Sequence, residues 1–120
     1  MADFKPVRVP DKLFSRDFEI EREYGITDLS LYGYWESETS LRIVGQIFSK
    51  KIKESFHLVC SIYDKDGDII KTKENESYGS AGFVTSSIKD GSFFDGFPFR
   101  FVLYGVNKGQ VKEIRIVLSS

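Results

Sequence analysis

The chain has one cysteine, one histidine, one methionine, one tryptophan and three prolines among 120 residues. A lone Cys60 cannot close an intramolecular disulfide, so no disulfide framework organises the fold and nothing marks an oxidising compartment. One cysteine with one histidine also falls short of a closed tetrahedral metal site, and neither metal nor cofactor is expected. No run approaches the roughly 18 apolar residues that a membrane-spanning helix requires. The start, Met1-Ala2-Asp3-Phe4-Lys5-Pro6, lacks the apolar segment of about 7–15 residues found in a secretory signal. The expected location is therefore cytoplasmic for the chain as given, and extracytoplasmic if a signal was removed.

An excess of either charge is missing too. Seventeen Lys plus Arg against eighteen Asp plus Glu give a formal charge of −1, whereas a nucleic-acid partner calls for a basic footprint. Lys50, Lys51 and Lys53 cluster, but Glu54 follows and no aromatic residues are interleaved for base stacking, so they read as a solvated loop. Neither nucleic acid nor membrane is expected as a partner.

What is present is apolar and aromatic. At 41% hydrophobic and 15% aromatic residues, the chain can build a core, and its length suits one domain that buries roughly two-thirds of its unfolded surface. Residues 1–12, with Pro6 and Pro10, read as an extended N-terminal arm ahead of a single domain over 13–120. Residues 13–23 are ambiguous: Leu13, Phe14 and Phe18 share a helical stripe, while Phe18 and Ile20 alternate as in a strand, which is the reading favoured here.

Beyond Gly25 a period of two takes over. Leu29, Leu31, Gly33 and Trp35 alternate with Ser30, Tyr32, Tyr34 and Glu36; Leu41, Ile43, Gly45 and Ile47 repeat the pattern, Gly45 leaving room for Trp35 or marking a bulge. Phe56, Leu58, Cys60 and Ile62 alternate with His57, Val59, Ser61 and Tyr63, and the run from Asp64 to Asp68 then predicts a hairpin turned at Gly67. A short strand is expected near 82–87. Phe97, Phe99, Phe101 and Leu103 form an aromatic ladder, with Pro98 at the strand's start or on an edge, and Ile114, Ile116 and Leu118 face inward from the last strand. About seven short strands with no confident helix predict an all-β, antiparallel two-sheet sandwich whose inner faces hold Trp35, Phe56, Phe97, Phe99 and Phe101.

Ile43-Val44-Gly45-Gln46-Ile47, the stretch from Cys60 to Ile70, and Asp90-Gly91 with Phe97-Pro98-Phe99 are together similar to FxLYD-type domains, small immunoglobulin-like sandwiches of bacterial proteins. The resemblance runs through residues 41 to 104. It implies an immunoglobulin-like sandwich with an interaction role, and it carries no catalytic or binding residue to a numbered position here.

Candidate chemistry is sparse. Cys60 and His57, three apart on one strand, point to opposite faces and cannot form a nucleophile pair. Asp64, Asp66 and Asp68 imitate the first half of a calcium loop, but Ile69 stands where the sharp-turn glycine belongs and Asn75 where the bidentate glutamate belongs, so a structural turn is favoured over weak calcium binding. Glu36 with Glu38, and Glu74 with Glu76, lie in exposed polar runs that would not tune a carboxyl for acid–base work. No phosphate-cradling glycine loop and no hydrolase elbow appears. The chain reads as not an enzyme.

The outward tyrosines remain. Tyr32, Tyr34, Tyr63 and Tyr104 are the candidate binding residues, because a surface tyrosine offers a stiff, broad contact with a polar tip. They suit a protein partner or self-association; the alternative is a carbohydrate- or small-ligand-binding module, and packing under a second layer would leave them structural.

Overall fold

The computed structural model describes residues 4–70, 83–84 and 87–119. The strands are β1 (Val7–Arg8), β2 (Phe14–Arg16), β3 (Asp28–Ser37), β4 (Ser40–Ser49), β5 (His57–Tyr63), β6 (Phe83–Val84), β7 (Phe94–Tyr104) and β8 (Glu113–Ser119). One short helix, α1 (Phe18–Glu23), and 3-10 turns at Asp11–Leu13 and Lys108–Gln110 complete the description. Two sheets result, β1-β3-β4-β7 and β2-β8-β5-β6, antiparallel except where β2 runs parallel to β8. The expected all-β two-sheet sandwich is the observed architecture.

Alternation explains the layering. Leu29, Trp35, Leu41, Ile43, Ile47, Phe99, Phe101 and Leu103 of the first sheet share one buried cluster with Leu58, Cys60, Ile62, Ile114 and Ile116 of the second. Each strand presents every second residue to that cluster because strand side chains alternate faces. Val9, Ile26, Ile52, Phe56, Ile88 and Val106 seal it from the loops. Within the lysine-rich loop, Lys50, Lys51 and Lys53 are exposed while Ile52 is fully buried, its N–H donating to the Ser92 carbonyl. The hairpin after β5 turns as expected: Gly67 has φ +82°, and one carboxylate oxygen of Asp64 accepts the backbone N–H groups of Asp66 and Asp68.

Several details depart from the sequence reading. The opening residues, read as an arm, carry β1 along the edge of β3, and Val9 in the core is 1% exposed. Residues 13–23 are mixed, with a short parallel strand followed by a helix. Asp17 caps that helix by accepting the Ile20 N–H, and Glu19 and Glu21 lie in its first turn, where acidic side chains favour the helix dipole. Phe97, expected inside, is 42% exposed although it pairs in register with Ile47; the register irregularity begins just beyond it, and its ring meets that of Phe94 at 4.5 Å. Gly45 makes room for Phe99, its partner in β7, and not for Trp35, which is opposite Leu41. Val59 and Ser61, assigned to the solvent face of β5, are buried. Pro98 sits within the edge strand β7, where its missing N–H interrupts no central ladder. Glu74, Asn75, Glu76 and most of the expected strand near 82–87 lie outside the described residues; Phe83–Val84 pairs there with β5.

Candidate functional site

The face of the first sheet turned away from the core is built from the residues that alternate with its buried ones. Backbone pairing sets them in rows. Tyr34 lies between Arg8 of β1 and Arg42 of β4, and Arg42 is opposite Val102 of β7. One row along, Tyr32, Val44 and Arg100 are aligned, followed by Ser30, Gln46 and Pro98. Tyr104 is opposite Ser40 at the far end of β7 and is 55% exposed.

Tyr32 and Tyr34 meet at 5.9 Å between ring centroids with their planes at 48°, and the Arg8 guanidinium stands 4.9 Å over the Tyr32 ring. A cation over an aromatic face is attracted by the ring quadrupole and holds the ring in one attitude. Arg42 reaches Glu36 through Nη2 at 3.1 Å, while its buried Nε finds no acceptor among the described residues. Arg100 is exposed. An open trough of about 640 Å³ crosses the same three strands, lined by Ser30, Leu31, Tyr32, Val44, Gly45, Gln46, Pro98, Phe99 and Arg100.

The four sequence-identified tyrosines do not converge. Tyr32, Tyr34 and Tyr104 share this face of the first sheet, whereas Tyr63 belongs to β5 in the other layer. There Arg115 stands 4.7 Å over its ring, donates to its hydroxyl at 3.4 Å and pairs with Glu113 at 3.1 Å. The sequence reading missed the arginines. Arg42 and Arg100 occupy the same alternate positions as Val44 and Val102, so the period-two pattern holds the signal, but only pairing of β1, β3, β4 and β7 makes those positions neighbours.

The remaining candidates are placed elsewhere. Cys60 is fully buried and desolvation pushes its thiol pKa well up. His57, three residues away, is opposite Ser119 at the end of β5. Among the described residues no group of three or more His, Cys, Asp or Glu side chains gathers for a metal, and no helix is long and apolar enough to cross a membrane.

The buried thiol makes a stability prediction. Folded Cys60 keeps its proton at pH values where the unfolded thiol, with its ordinary pKa of about 8.5, has released it. The unfolded state then binds fewer protons, so stability falls as pH rises above about 8.5, by up to about 1.4 kcal/mol per pH unit. Urea melts from pH 7 to 10 should show this loss in the wild type relative to Cys60→Ala. Parallel curves for the two proteins would remove Cys60 as its source.

Comparison with protein-family models, with curated proteins and with solved structures finds no significant match to this chain.

Proposed function

We propose that the domain is a non-catalytic interaction module that binds a protein partner through the outer face of its first sheet. The observation that carries this reading is the set of rows joining Tyr32 and Tyr34 to Arg8, Arg42 and Arg100 on a face outside the core. Tyrosine and arginine dominate binding energy at protein interfaces, since both offer large contact areas with directed polar groups. Tyr104 extends the face along β7, and Tyr63, in the other layer, is left out of it. The immunoglobulin-like reading belongs to the same proposal. Two stacked four-stranded layers support it.

The test is affinity capture followed by crosslinking. The double variant Tyr32→Ala, Tyr34→Ala should keep the wild-type melting temperature within a few degrees and weaken partner capture by at least about tenfold. Crosslinks from the wild type should map to β3, β4 and β7. A partner captured equally well by the double variant would refute the assignment.

A small-ligand or carbohydrate reading draws on the trough beside Tyr32, because small ligands favour concave, largely apolar sites with a few polar groups. A glycan array and a thermal-shift ligand screen test it, and silence from both removes it.

A further inference from the structure

We infer that the outer face of the first sheet takes an acidic, extended segment of its protein partner, with a carboxylate on Arg100 and an apolar side chain in the trough beside Tyr32. This inference rests on the interaction reading above and names the chemistry of the partner.

Charge placement is the argument. The chain carries a net charge of −1, yet the rows Arg8-Tyr34-Arg42-Val102 and Tyr32-Val44-Arg100 hold three guanidinium groups, and the carboxylates at the same alternate positions of β3, Asp28 and Glu36, lie outside those rows, Glu36 against Arg42. Arg8 lies over the Tyr32 ring, and its ion pair among the described residues is with exposed Asp11 at 3.2 Å. Arg42 is paired with Glu36 through Nη2 at 3.1 Å, and its Nε is buried with no acceptor among the described residues, so it adds positive charge to the face and leaves the carboxylate to Arg100. Arg100 enters no ion pair among the described residues. A guanidinium fork matches a carboxylate in two parallel hydrogen bonds, and that pairing is stronger than one between neutral groups.

Shape selects an extended peptide. The trough runs from Tyr32 on β3 to Arg100 on β7, two strand spacings or about 10 Å. In an extended segment, side chains two residues apart lie on one side at roughly 7 Å, so an acidic residue reaches Arg100 while the residue two along enters the trough. Val44, Pro98 and Tyr32 give that trough an apolar lining, and Ser30 and Gln46 supply polar groups. A long polyanion fits less well, because the acidic balance of the rest of the chain opposes an extended negative surface.

The test titrates the isotope-labelled full chain with a synthetic peptide of about 12 residues that carries Glu and Leu or Tyr in turn at every second position, with Ser between them and Gly-Ser flanks, so that both kinds of side chain share one side of the extended segment. Counterparts replace each Glu by Gln or by Lys; phosphatidylserine vesicles and a single-stranded oligothymidine stand as other anions. The Glu peptide should shift the amide signals of Ser30, Tyr32, Val44, Gln46 and Arg100, and bind more weakly as salt rises. Both the Gln peptide with wild type and the Glu peptide with Arg100→Glu should bind at least about tenfold more weakly. Arg100→Gln serves as a milder second variant, and the melting temperature of each is checked. Equal binding of Glu and Gln peptides, no shift at this face, or tighter binding of vesicles or oligothymidine overturns the inference. Those outcomes are separable from failure of the interaction surface itself, which is read from capture by the Tyr32→Ala, Tyr34→Ala protein.

Discussion

Alanine at Gly45 is expected to destabilise the domain by about 3 kcal/mol and to lower its melting temperature by roughly 10 °C. A Cβ there would stand 2.3 Å from the Ser30 carbonyl oxygen and 2.4 Å from Cζ of Phe99. The Phe99 ring can tilt, but the Ser30 carbonyl belongs to β3, which pairs with β4 along its whole length, so relief requires moving a strand. Phe99 is 8% exposed and packs in the core, so its displacement also opens a void on the inner face. Combining Gly45→Ala with Phe99→Leu should recover only part of the loss, because the carbonyl contact persists. Thermal and urea unfolding of the two singles and the double measure this, and a Gly45→Ala protein that melts within about two degrees of wild type would contradict the close approach.

Removing the Glu21 carboxylate should cost about 3 kcal/mol. Glu21 is 3% exposed, and its two oxygens accept from Nε and Nη2 of Arg16 at 3.0 and 2.5 Å, while Arg16 Nη1 donates to the Leu29 carbonyl at 2.6 Å. The Phe18 ring covers the guanidinium at 4.4 Å. One side chain of β2 thus ties α1 to β3 across the edge of the two layers. Glu21→Ala leaves a mostly buried cation facing no carboxylate, and that uncompensated charge, more than the lost bond, causes the destabilisation. Arg16→Met with Glu21→Leu should recover most of the loss, since apolar groups of similar volume need no partner. Denaturant midpoints decide the matter: a Glu21→Ala protein as stable as wild type would show that the pair is dispensable.

Residues 13–23 explain where sequence reading reaches its limit. Alternation of Phe18 and Ile20 points to a strand with two inward apolar side chains, but both are exposed, at 58% and 37%, and the buried residue of that segment is Glu21. Apolar periodicity cannot find an element whose inward group is charged, because the partner that makes burial tolerable, Arg16, lies outside the helix. Phe97 departs in the opposite way: its alternation is regular and it pairs in register with Ile47, yet near the start of β7, beside the register irregularity, it is exposed.

Local chemistry in the chain determined the two-layer β architecture, the turn at Gly67 and the interior places of Leu29, Trp35, Cys60, Phe99 and Ile116, because alternation and turn preference act between near neighbours. Only tertiary pairing decided that Arg8, Arg42 and Arg100 share a face with Tyr32 and Tyr34 while Tyr63 does not, that Phe99 fills the space at Gly45, and that Arg16 and Glu21 lock the edge. Each of these joins residues through the order in which strands pair, and side-chain period records which face a residue takes but not which strand becomes its neighbour.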